Sequence, residues 1–448
     1  MLDGDGLLRL AEHVVGRAQA AGATEAEVLA SADRSALTRF ANSQIHQNVA
    51  EHRVGISLRF VVGRRVAVTS TDRTDEDGIR TLVDSAAAIA RVVERLDDWG
   101  GLPKPSPAAG VPGAASAGTA GATPEFRAGG AREVIAAADD AGVVAYGSFS
   151  TATETLAIAT TTGVRVAEER TNAQLLTVMM GPDGGNGYAE ANAVDATTID
   201  AGAVGREAAA KARASANPVE VPAGDYPVVL EEYAVVDIMD MLGMLGFSAL
   251  AVQEGRSFVE PGKRIGSPLV SIWDDGHDPA GLPMGFDYEG VAKQRVTLVD
   301  RGLCGEVVYD AQTAARANRA STGHGLPAPN PWGPFPLNMH MAAGSASRDE
   351  LVGGLDRGLL VTRFHYTNPV HPKLAIITGM TRDGTFLVEN GEVVGPVRNL
   401  RFTMSYLDAL GATSAVGRER KLVRGLLGAA LVPALRIDAF TFTGTTQH

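Results

Sequence analysis

Between Glu231 and Ala249 the chain reads EEYAVVDIMDMLGMLGFSA, an apolar helical run whose only charged groups are Glu231, Glu232, Asp237 and Asp240. Asp237 and Asp240 are three residues apart, so both can lie on one helical face. Two carboxylates without imidazole or thiolate beside them suit magnesium or calcium better than zinc. The same pair can equally face solvent or cap neighbouring elements. His365 and His371 close the segment HYTNPVH around Asn368, and His340 stands in PLNMHMAAG. Spacing by six residues across a proline-containing loop can bring two imidazoles together. His340, His365, His371, Asp237 and Asp240 are therefore the alternatives for a metal site. His277 and His324 fall on predicted loops, and His46 and His52 flank a predicted turn. Cys304 sits in GLCGEVV, a strand-like run where a small apolar residue would serve equally, and reads as a buried inert thiol. There is no GxSxG elbow for a serine nucleophile. The loop PDGGNG at Pro182 to Gly187 lacks the Lys-Ser/Thr of a phosphate-binding loop. No residue is assigned a catalytic role.

These groups need elements to hold them. Leu7, Leu8, Leu10, Ala11, Val14, Val15 and Ala18 recur at helical spacing, which predicts a helix from Asp5 to Ala21 stopped at Gly22. Strands are predicted at 27–31, 37–48 and 53–69, with a hairpin at Gly63-Arg64, and a second helix over 75–95 capped by Thr74 or Asp75. Residues 103–124 are nearly all Pro, Gly, Ala, Ser and Thr, a composition that buries too little apolar surface to offset its ordering entropy. A helix is expected at 132–141, strands over 145–193 with a turn at Thr162-Gly163, and a helix at 199–214 capped by Asp200. Beyond Asn217-Pro218 come a short strand at 226–230, a helix over 233–250, and then turns and strands. Asn390-Gly391, following Glu389, is the strongest hairpin turn, because type I′ geometry needs positive φ at both residues. The basic run GRERKLVRG, 417–425, reads as a solvated turn or helix end. The long loop from Ala320 to Gly344, with Trp332 and Phe335, is a candidate to line a peptide channel or a subunit interface.

A chain of 448 residues exceeds one ordinary core, so two or three domains are expected. A net charge of −12 repels phosphate backbones and argues against direct nucleic-acid binding. One cysteine excludes an intrachain disulfide and suits a reducing cytoplasm. No run reaches the roughly 18 apolar residues of a membrane helix, and acidic Asp3 and Asp5 do not suit a signal peptide.

Several stretches resemble one family in order along the chain. Leu37 to Asp72 is similar to the N-terminal domain of the TldD/PmbA (modulator of DNA gyrase) metallopeptidases. Ser267 to Ala314 resembles the centre of their C-terminal domain, and Arg357 to Leu400 its final sheet, followed by AVGRE and PALRI. The resemblance implies an α+β protein, an N-terminal α/β domain followed by a large β-rich, mainly antiparallel C-terminal domain. We divide the chain into 1–102, a Pro/Gly/Ala-rich linker at 103–130, a middle α/β domain at 131–218, and 219–448. Active members of the family hold zinc with a helical HExxxH and a cysteine near the C-terminus, and pair with a subunit lacking that set. The corresponding helix here has no histidine, and RKLVRGLLGAALV between AVGRE and PALRI has neither cysteine nor histidine. The resemblance thus implies a TldE-like subunit that is inactive alone, with no cofactor of its own and zinc in an HExxxH-bearing TldD-like partner. The substrate would be unfolded peptide, which an exposed strand edge can bind by β-addition. Trp332, Phe335, Asn368, Glu389, Asn390 and Gly391 are the candidate substrate or interface residues. An independent metal-dependent hydrolase with a relocated site and a non-enzymatic regulatory binding protein are the competing readings.

Overall fold

The computed structural model describes residues 3–445. Six strands build one antiparallel sheet: β1 (Glu25–Ala41), β2 (Gln44–Val62), β3 (Arg65–Thr71), β4 (Val144–Thr160), β5 (Arg165–Met180) and β6 (Asn186–Ala193). Their order is β3-β2-β1-β4-β5-β6. The β1–β4 ladder, from Glu27 opposite Thr160 to Phe40 opposite Gly147, carries the sheet across the Pro/Gly/Ala-rich stretch. Residues 1–102 and 131–218 therefore share one backbone ladder. The β1–β2 turn falls at Asn42-Ser43, both with positive φ (51° and 56°), instead of near residue 50. Asparagine tolerates that conformation, and the polar run from residue 46 is the solvent-facing part of one long strand. His46 and His52 lie together on β2 rather than either side of a turn.

Five helices accompany this sheet: α1 (Gly4–Ala20), α2 (Glu76–Val92), α3 (Ala117–Ala120), α4 (Pro124–Ala141) and α5 (Ala201–Ala214). Side-chain oxygens of Asp3, Asp75 and Asp200 accept the free N–H groups at the starts of α1, α2 and α5. Alternation along β4 divides its two faces. Ala157 and Ala159 join Leu7, Val14 and Leu82 under α1 and α2, while Leu156 and Ile158 pack on Phe286 from the C-terminal half. Helices thus cover one face of the sheet and the C-terminal half covers the other.

The stretch at 103–130 is tied down rather than loose. Thr171 N donates to Ala114 O (2.9 Å), Val111 N to Glu168 Oε1 (2.7 Å) and Ala292 N to Ser106 Oγ (3.0 Å). It therefore runs along the otherwise open edge of β5. The helix expected from residue 132 begins eight residues earlier, with Thr123 as cap and Pro124 in the first turn, where its missing N–H costs nothing. The partners that order this segment come from distant strands, which its own composition cannot reveal.

The C-terminal half contributes β7 (Gly224–Leu230), β8 (Ile272–Asp274), β9 (Val296–Asp300), β10 (Leu303–Cys304), β11 (Asn338–Met341) and β12 (Arg357–His371). It continues with β13 (Ile376–Glu389), β14 (Glu392–Pro396), β15 (Leu400–Ser405), β16 (Thr413–Arg424) and β17 (Ala429–Thr445). The pairing is mostly antiparallel, with parallel ladders at β7–β12 and β11–β17. Because β17 pairs with both β15 and β7, the strands β7-β12-β13-β15-β17 close into a ring. Phe364, Phe402, Tyr406 and Phe440 cluster there with ring centroids 4.6–6.3 Å apart. Burying each such ring stabilises the fold by about 1.5–3 kcal/mol. The run 417–425, read above as a turn or helix end, instead continues β16 and pairs with β17.

Helix α6 (Glu232–Leu245) is buried at 11 of its 14 positions, as a helix apolar on every side must be. It stops at Gly246, where a Cβ would lie 2.1 Å from the Phe258 ring, and a separate short helix follows at Ala249–Gln253. Among the described residues, no helix is long and apolar enough to cross a membrane.

Candidate functional site

Helix α6 brings Asp237 and Asp240 to one face, as their spacing requires, and that face floors a cavity of about 430 Å³. Tyr188 and Glu190 of β6 form one wall, Arg363, His365 and Tyr366 of β12 another, and the turn after Arg424 a third. Asp237 accepts from Tyr406 Oη and Thr367 Oγ1, both at 2.6 Å. Burial raises its pKa, and those two hydrogen bonds oppose the rise. Asp240 Oδ2 accepts from Leu426 N (2.7 Å), and burial, with the charge of Asp237, pushes its pKa up to about 7. Glu190 is raised as well, chiefly by burial. It accepts from Arg424 N, Gln174 Nε2 and Tyr188 Oη. His365 is lowered by burial and by Arg382 and Arg363. Tyr406→Phe removes one of the two donors that stabilise the buried Asp237 carboxylate. It should cost about 1–3 kcal/mol in urea unfolding at pH 8. The cost should shrink as pH falls, because the protonated acid depends less on that donor than the carboxylate does.

The family resemblance raises zinc, and the donor set here does not fit it. Zinc takes thiolate, imidazole or carboxylate ligands with free lone pairs, usually at least three from the protein. Both oxygens of Asp237 and one of Asp240 already accept from protein donors. Among the described residues, no group of three or more His, Cys, Asp or Glu side chains is arranged to hold a metal ion. Cys304 is buried on β10, where burial raises its thiol pKa.

The other candidate residues are dispersed. His365 and His371 lie on the one strand β12, roughly 15–20 Å apart at strand rise, rather than facing each other across a loop. His371 Nδ1 accepts from Leu374 N (3.2 Å) at the far end. His340 is buried on β11, stacked on Trp273 with its Nδ1 3.6 Å from Asp278. Asn368 is exposed beyond the cavity, its Nδ2 donating to Tyr366 O (2.9 Å). Phe335 is buried against Gly243 of α6, whereas Trp332 on the same loop is exposed. Asn390 and Gly391 form the expected hairpin turn, with φ of 51° and 79°, and Glu389 precedes it. None of these three lines the cavity. Sequence reading missed Tyr188, Glu190, Arg363 and Arg424, which come from three separate strands and carry no spacing signal.

Comparison with known proteins places this geometry. Family models match in order: PmbA/TldA metallopeptidase domain 1 at residues 26–90, the central domain at 121–216 and the C-terminal domain at 223–444. The metalloprotease TldD homolog of Buchnera aphidicola subsp. Schizaphis graminum is 26% identical over 219 residues, covering 46% of this chain and 44% of that protein. The zinc metalloprotease TldD homolog of Saccharolobus solfataricus is 25% identical over 213 residues, covering 44% and 45%. The chain thus spans a little under half the length of these relatives. The crystal structure of TldE from Thermococcus kodakarensis is similar over 97% of this chain and all of that one, with a TM-score of 0.89 and 19% identity. A Thermotoga maritima structure follows at 0.86 and 20% identity, covering 97% and 99%. These likenesses show the α+β fold. With all three domain models matched in order, the chain belongs to the PmbA/TldD metallopeptidase family.

Proposed function

We propose that this chain is the non-catalytic subunit of a TldD/TldE-type metallopeptidase complex that degrades or trims unfolded peptides in the cytoplasm. One observation carries the reading. Asp237 and Asp240 stand on α6, the helix that the family resemblance matches to HExxxH, and their oxygens are largely engaged by protein donors, yet the cavity beside them persists. A site that keeps its space without a zinc donor set suits peptide handling rather than bond cleavage. The zinc then belongs to an HExxxH-bearing partner. The exposed end of β12 and the turn after it display Tyr366, Val370 and Leu374, an apolar surface suited to that partner. A relocated metal site draws no support from His340, His365 and His371, which stand apart on β11 and along β12.

The test is to purify the chain alone and with a zinc-bearing paralogue from the same genome, and to measure zinc content and peptide cleavage in each. Cleavage only in the presence of the paralogue, with the zinc bound by the paralogue, is expected. Leu374→Asp should weaken association by about 30-fold, as loss of an interface anchor does. Stoichiometric zinc and cleavage by this chain alone would overturn the reading.

A further inference from the structure

We infer that the cavity beside α6 receives an organic ammonium group, the α-amino group or a lysine side chain of an extended peptide, at the free oxygen of Asp240. This deepens the peptide-handling reading and rests on it. Three carboxyl groups line the cavity, and two of them are saturated. Asp237 takes two hydroxyl donors, and Glu190 takes the Arg424 N–H, the Gln174 amide and the Tyr188 hydroxyl. Asp240 differs. It is only 8% exposed, its Oδ2 accepts from Leu426 N, and its Oδ1 meets no donor among the described residues. A carboxylate oxygen that faces a cavity with no protein donor is free to take a charge-assisted hydrogen bond from an incoming N–H.

The protein's own cations do not supply that donor. Arg363 is held by Asp383 (Nε to Oδ2, 2.7 Å) and lies over the Tyr188 ring at 4.4 Å. Arg424 Nη1 reaches Asn172 Oδ1 (3.3 Å). His365 is pushed toward its neutral form. No ion pair to Asp240 exists among the described residues, so its negative charge is uncompensated whenever it ionises. The raised pKa of Asp240 expresses the same imbalance, and a bound cation would relieve it.

The Tyr188 and Tyr233 rings on the walls already carry the protein's own cations, Arg363 over the first and Lys211 and Lys421 over the second, so recognition of the ammonium group falls to Asp240. At the rim Tyr366 is 74% exposed and held at a φ of 58°, a strained conformation for a tyrosine. The volume, about 430 Å³, lies in the range of small-ligand sites. A metal ion is disfavoured by the lack of a three-donor group among the described residues.

Calorimetric titration of the purified full chain tests this with three pentapeptides of sequence Gly-Ser-Lys-Ser-Gly amide. One is acetylated at the α-amine, one at the lysine and one at both. At least one singly acetylated peptide should bind about tenfold or more tighter than the doubly acetylated one, as for a hydrogen bond to a charged group. Which of the two binds identifies the source of the ammonium. Asp240→Asn retains an acceptor for Leu426 N and should abolish the preference. Arg424→Gln removes a like charge from the wall and should strengthen binding, an outcome that misfolding cannot imitate. Equal binding of all three peptides, no binding of any, or an unchanged preference in Asp240→Asn would overturn the inference. The titration needs no partner and no turnover, so its failure is distinct from a failure to associate with the paralogue.

Discussion

Replacing Arg59 by methionine is expected to lower the unfolding free energy by about 3–5 kcal/mol at pH 8, because it strands buried carboxylates without their cation. Arg59 is buried on β2, with Glu27 Oε1 at 3.3 Å on β1 and Glu289 Oε1 at 3.3 Å from the C-terminal half. Asp310 also acts on Arg59, and Asp287 lies beside Glu289. One guanidinium therefore serves a cluster of acids where the N-terminal sheet meets the C-terminal half. Burial pushes Glu27 up to about 7, and burial with Glu289 pushes Asp287 up to about 8. A carboxyl raised in the folded state contributes its stability fully below its unfolded pKa, about 4. That contribution is lost as pH rises through the folded value. The loss in Arg59→Met should accordingly be smaller at pH 5 than at pH 8, as read by urea unfolding at both. Equal losses at the two pH values would show that the acids stay ionised and that the cluster is not under-compensated.

Asp274→Asn should destabilise by a similar amount, about 3–5 kcal/mol, but with the opposite pH behaviour. Asp274 is fully buried on β8, with Lys293 Nζ at 3.1 Å, His324 Nε2 at 2.8 Å and Asn338 N at 2.7 Å. Burial alone would raise its pKa, but Lys293 and His324 outweigh it and hold the carboxyl well below the usual range. Its stability is present above the unfolded pKa and lost only as pH falls below about 4. His324 is lowered by burial and by Lys293, so Lys293 is the cation left stranded by the substitution. The loss should therefore be no smaller at pH 5 than at pH 8. A loss confined to pH 8 would mean that the Asp274–Lys293 pair is not the source.

Much of the local structure was legible because its causes are local. Asp75 and Asp200 cap their helices within three residues of the N–H groups they accept from. Gly63-Arg64 and Asn390-Gly391 turn the chain through their own positive φ. Asp237 and Asp240 share a face because three residues nearly complete a helical turn. The missing HExxxH was legible for the same reason, since that motif is a spacing on one helix. Where local reading failed, the partner was remote. The residues at 103–116 look unstructured until the edge of β5 receives them, and the polar run from residue 46 looks like a turn until β1 pairs with it.

By itself the sequence determined the alternation of elements, the family and the absence of an HExxxH motif, because each is written in residues a few positions apart. Tertiary structure decided which of the remaining groups meet. Tyr406 reaches Asp237 from 169 residues away, and Glu289 reaches Arg59 from 230. His365 lines the cavity while His371, six residues on, lies at the far end of β12. Such meetings depend on strand register and ring closure, which sum many weak contacts across the chain, and no short spacing encodes them.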